Sequence, residues 1–114
     1  MTICSDTRRA FHESVNMSPD EIRRWARDPR ALCYSFEATR RRLPALAALK
    51  GKRGEWTAQD CAYARRVLAF NRRMEGGMRR DGCTDGYVIS LRNWGRQPKA
   101  CPLLERPTCP RRQR

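Results

Sequence analysis

The stretch from Thr57 to Glu75 leaves its backbone little choice. Thr57 is placed to accept from the amide three residues on, and Asp60 is placed to reach back to the Thr57 amide. That reciprocal arrangement starts helices, and Trp56 and Cys61 flank it at the spacing of a hydrophobic staple. At about 100° per residue, Tyr63, Val67, Phe70 and Met74 fall within one narrow arc, and Arg65, Arg66, Arg72 and Arg73 within another. One face is suited to burial and the other to a polyanion. Gly76-Gly77 is predicted to end the helix, since glycine readily takes the backbone conformation that closes one.

Other helices are legible around this one. Phe11 and Val15 have helical spacing and predict a short helix ending near Asn16. Ser18-Pro19-Asp20-Glu21 combines a capping serine, a proline at the first helical position and a capping-box glutamate. This helix carries Ile22, Trp25 and Ala26 on one side and stops at Asp28, because Pro29 disfavours helical geometry there. A further helical stretch runs from about Ser35 to Lys50, with Pro44 either kinking it or starting a new helix. Residues 51–54 form a loop, and residues 78–86 a polar loop. Segment 87–94 fits either a short helix capped by Thr84 and stopped by Gly95 or a five-residue strand; helix is preferred, since no partner strand is visible for it.

These elements predict an all-α fold, a small bundle of four to five short helices. Residues 1–9 are expected to be disordered, 10–98 to form the helical domain and 99–114 to be a basic, disordered tail rich in proline and arginine. A chain of 114 residues fits one such domain. No apolar run approaches the roughly 18–20 residues that span a bilayer, and no secretory h-region opens the chain, so an intracellular protein is expected. In that setting the six cysteines, Cys4, Cys33, Cys61, Cys83, Cys101 and Cys109, read as dispersed thiols. They include no Cys-x-x-Cys pair, so no metal site is predicted.

Charge narrows the function. The chain holds 25 basic against 12 acidic residues, a net charge of +13, and Lys50, Lys52 and Lys99 are its only lysines. Arginine offers a planar fork that matches phosphate oxygens. The four arginines of the Thr57 helix cover two helical turns, and Arg40, Arg41, Arg42, Arg79 and Arg80 extend the basic surface. The aromatic residues Trp25, Trp56, Trp94, Tyr63 and Tyr87 are assigned to packing ahead of base stacking, because they keep helical spacing beside other apolar residues. His12, the single histidine, stands beside Glu13 and reads as a helix-surface residue. No nucleophile elbow, phosphate-binding loop or dinucleotide fingerprint occurs, so neither catalysis nor a cofactor is predicted.

Phe11-His12-Glu13, Val15 to Pro19, Trp25 and the signature Ser90-Leu91-x-Asn93-Trp94-Gly95-x-x-Pro98 together resemble a family of small microbial and fungal proteins, domain of unknown function 3140. The resemblance spans residues 10–98 and implies a helical domain with no assigned catalytic residues; some members are labelled DNA-binding. The chain departs from that pattern at Tyr87-Val88-Ile89 and at Arg96-Gln97.

The expected function is therefore non-specific nucleic-acid binding through arginine–phosphate contacts, DNA ranking ahead of RNA. The alternative is an adaptor that docks an acidic protein. An anionic membrane surface ranks lower, because the basic helix has only a modest apolar face to insert.

Overall fold

Ser18 and Thr57 each close a reciprocal pair of hydrogen bonds. Ser18 Oγ accepts from the Glu21 amide at 3.1 Å while Glu21 Oε1 accepts from the Ser18 amide at 2.8 Å. Thr57 Oγ1 and Asp60 Oδ2 repeat the exchange at 3.1 and 2.9 Å. These pairs belong to a computed structural model that describes residues 3–32 and 37–101, with 37–40 as backbone alone.

Among the described residues five helices follow one another: α1 (Ser5–Ser14), α2 (Pro19–Ala26), α3 (Glu37–Gly51), α4 (Ala58–Asp81) and α5 (Asp85–Arg92), with a 3-10 turn over Pro29–Leu32. The fold is all-α, and no strand occurs among the described residues. Segment 85–92 is helical, capped by Thr84 as expected. Pro44 lies inside α3, which continues across it as one helix.

α1 packs on α4, α2 on α3, and α5 on both α4 and the 3-10 turn. Phe11, Val15, Ile22, Leu43, Leu46, Val67 and Ile89 are fully buried where these faces meet. Each removes about 1.5–3 kcal/mol worth of apolar surface from water. The Asn-Trp-Gly signature closes this core. Trp25 Nε1 donates to Asn93 Oδ1 at 2.7 Å, and Asn93 Nδ2 donates to the Ala31 carbonyl at 3.2 Å. Gly95 has φ +83, and a Cβ there would lie 2.7 Å from Val15 Cγ1 and 2.9 Å from Leu46 Cδ2. Both conformation and space therefore require glycine.

Arg96 and Gln97 fasten chain segments together. Arg96 Nη1 donates to the Ser14 carbonyl at 2.9 Å, and its Nε pairs with the Glu75 carboxylate. The Gln97 backbone exchanges two hydrogen bonds with the Asn16 side chain, at 2.9 and 2.8 Å.

Three expectations are corrected. The first concerns the N-terminal segment: α1 begins at Ser5, inside the 1–9 stretch expected to be disordered. Cys4 makes no side-chain cap, so no start signal is written there; the disulfide to Cys61 and Arg8 donation to the Lys52 and Gly54 carbonyls, at 2.8 and 2.9 Å, hold it instead.

The second concerns the glycine pair. α4 runs through Gly76-Gly77 and stops at Gly82, whose φ is +92. Gly77 serves a close approach: a Cβ there would lie 2.7 Å from the Tyr87 hydroxyl. Part of the expected 78–86 loop is thus helix.

The third concerns the thiols. Cys4 bonds to Cys61 and Cys83 to Cys101, with Cα atoms 6.3 and 5.9 Å apart. The fold brings together cysteines whose sequence spacing gives no sign of pairing. Disulfides persist in oxidising compartments, so the cysteines lend the intracellular expectation no support. Cys33, Cys109 and the expected tail beyond Cys101 lie outside the described residues.

Candidate nucleic-acid interface

The buried face of α4 is formed by Cys61, Ala64, Val67, Leu68 and Asn71. Its centre is rotated away from the Tyr63–Val67–Phe70–Met74 arc, so Tyr63, Phe70 and Met74 sit at its edge, half-buried. Small and polar residues hold the middle of the contact. Ala64 lets α1 approach, and Asn71 Nδ2 donates to Ser14 Oγ at 3.0 Å.

Opposite this face the arginines gather. Because α4 continues to Asp81, Arg79 and Arg80 join Arg65, Arg66, Arg72 and Arg73 on the same surface. At about 100° per residue, positions seven apart drift by only ~20°. Arg65, Arg72 and Arg79 therefore make one row, and Arg66, Arg73 and Arg80 a second. Between them run Ala62, Ala69 and Gly76. All six arginines are exposed. Their Cα positions span about 22 Å along the axis at 1.5 Å per residue.

The acidic groups nearest this surface are engaged elsewhere. Glu75 pairs with Arg96, Asp60 with Lys52 at 2.8 Å, and Asp81 accepts from the Tyr87 hydroxyl at 2.6 Å. Among the described residues, the ion pairs are made by Arg9, Arg23, Arg30, Lys52 and Arg96, and none by the six arginines of α4. Their guanidinium charge faces solvent uncompensated.

The α3 cluster is divided. Arg41 is exposed; Arg40 is placed as backbone only. Arg42 lies over the Trp94 ring, 4.1 Å from its centroid. Trp94 stacks on Phe70 with centroids 4.6 Å apart, and Arg73 lies 5.6 Å from the Phe70 centroid. Arg42 is thus a packing residue that connects α3 to the edge of the α4 surface, and Trp94 and Phe70 are occupied by each other. Trp25 and Trp56 are buried, in keeping with their assignment to the core.

His12 is half-buried beside Trp56, their ring centroids 6.3 Å apart. Burial, then the charges of Lys50 and Arg8, hold its pKa below the ordinary histidine value.

The two-row arrangement is hidden in the sequence as long as Gly76-Gly77 reads as a helix end. The seven-residue recurrence of Arg65/72/79 and Arg66/73/80 was the available signal. Among known proteins, no family model, curated protein or solved structure matches the chain. No helix among the described residues is long and apolar enough to cross a membrane.

Proposed function

We propose that this protein binds nucleic acid, DNA ahead of RNA, without base preference. The observation that carries the reading is the pair of arginine rows on α4, exposed, unpaired and free of acidic neighbours on their own face. Phosphates neutralised by such groups release counterions, which drives association whatever the base sequence. The guanidinium forks suit bidentate phosphate contacts. The intervening Ala62, Ala69 and Gly76 allow close approach of the helix and offer no polar group to read a base edge.

The test is binding to a random-sequence duplex by fluorescence anisotropy across a salt series. With about four to six phosphates contacted, log K falls against log[salt] with a slope of roughly −4 to −5. Changing all six arginines to Gln removes that dependence and weakens binding equally for unrelated sequences. Absence of binding at low salt overturns the reading and leaves an acidic protein as the partner.

A further inference from the structure

Arg92, at the end of α5, carries its charge outside any ion pair among the described residues. Its guanidinium lies 4.4 Å from the Trp25 ring centroid, its Nη1 donates to Gln97 Oε1, and its Nε is buried with no hydrogen-bond partner. A guanidinium half withdrawn from water in this way gains when an anion answers it.

The space beside it is a cleft of about 960 Å³ between α2 and segment 97–101. Arg24, Arg27 and Lys99 also line this cleft, all three exposed. Two carboxylates stand in its wall: Asp28 pairs with Arg30 at 2.7 Å, and Glu21 accepts from the Ser18 amide at 2.8 Å and keeps its charge. Four cations therefore converge on a space whose one carboxylate outside an ion pair is Glu21, and its volume matches the upper end of small-molecule sites, roughly 300–1,000 Å³. None of the six α4 arginines contributes to it.

We propose that this cleft is a second, separate site that takes a phosphate-bearing ligand, with Arg92 at its inner end and Arg24, Arg27 and Lys99 at its mouth. Arginine forks favour phosphate oxygens, and a dianion offsets the convergent charge better than one carboxylate does. Burial, together with the positive charge of Arg30, lowers the pKa of Arg92, while Asp28 and Glu21 oppose this from a distance. An arriving anion relieves that burden. Trp25, a wall of the cleft, reports its occupancy.

The experiment follows the Trp25 indole N–H by NMR during titration with pyrophosphate at fixed ionic strength. The expected result is a saturable shift, weakened at least tenfold in the Arg24→Gln/Arg27→Gln/Lys99→Gln variant, whose changes are all on the surface. Arg92→Met, which keeps much of the packing on Trp25, abolishes it. A shift no larger than sodium chloride produces, or one unchanged in the triple variant, overturns the site. A duplex that gives the same shift and competes with pyrophosphate identifies the phosphate as that of a nucleic acid. Pyrophosphate binding without duplex competition identifies a free phosphorylated molecule. The variant lacking the six α4 arginines keeps its pyrophosphate response, so failure of the α4 reading and failure of this one are distinguishable.

Discussion

The Arg42 guanidinium lies 4.1 Å from the centroid of the Trp94 ring, joining the middle of α3 to the residue just beyond α5. Trp94 in turn stacks on Phe70 of α4. Three consecutive helices are tied by one aromatic residue.

Trp94→Ala is accordingly expected to cost about 3 kcal/mol, near the lower end of buried aromatic deletions because Trp94 is only half-buried. Trp94→Phe keeps a ring between Arg42 and Phe70 and loses less. Arg42→Met retains the aliphatic contact and loses the cation–π attraction, about 1 kcal/mol. Urea denaturation of the three variants gives the ranking.

Gly76 and Gly77 respond in opposite directions to alanine. A Cβ on Gly76 meets nothing within 4 Å, so Gly76→Ala stabilises α4 by about 0.4–1 kcal/mol. A Cβ on Gly77 would lie 2.8 Å from Tyr87 Cε1, so Gly77→Ala displaces the ring and its bond to Asp81, at a cost of about 1–3 kcal/mol. Thermal melts of the two variants on either side of the wild-type midpoint confirm the assignment.

The helices with written start signals were the legible part of the fold. Ser18, Thr57 and Thr84 each supply the side-chain oxygen that fixes the first turn, and all three helices begin where these residues stand. What escaped the sequence was set by tertiary contact. Cys4 begins a helix because Cys61 holds it, and Gly77 continues one because Tyr87 needs the room. The basic face was half legible: four of its arginines were placed together, while Arg79 and Arg80 joined only once α4 proved continuous. Arg42 was assigned to the same surface, but nothing local in the sequence discloses the ring it covers. The arginine at the cleft, Arg92, has no local sequence signal, because it stands alone in sequence and gains its neighbours from α2 and from segment 97–101.

Reduction separates the two disulfides among the described residues by their loops. Chain-entropy arguments assign about 4 kcal/mol to a closure of the length that Cys4–Cys61 makes and about 3 kcal/mol to one of the length that Cys83–Cys101 makes. The bridges have sequence separations of 57 and 18 residues. Cys4→Ser/Cys61→Ser should lower the melting temperature more than Cys83→Ser/Cys101→Ser, and its effect on exchange of the α1 amides should be the larger one. Calorimetry with amide hydrogen exchange reads both.

His12 makes stability depend on pH in one direction. Its folded pKa lies below the ordinary 6.5, so between 6.5 and that lower value the unfolded chain binds a proton that the folded chain refuses. Stability contributed by the neutral ring is full above pH 6.5 and declines as pH falls through this window. His12→Gln lacks this component, so its urea midpoint falls less than that of the wild type between pH 7 and pH 5. Parallel losses in the two proteins would exclude His12 as the source.

α4 is fastened near both ends. Cys61 in its first turns is bonded to Cys4, and near its last turn Gly77 and Asp81 are held by Tyr87 while Glu75 is held by Arg96. Its 24 residues therefore form a braced rod about 36 Å long, and the arginines it carries keep fixed spacing whether or not anything is bound. For the nucleic-acid partner proposed above, such a surface is a template and not a wrap. A flexible single strand must give up conformational freedom to lie along it, whereas a duplex, straight over lengths of about 150 base pairs, arrives already in shape.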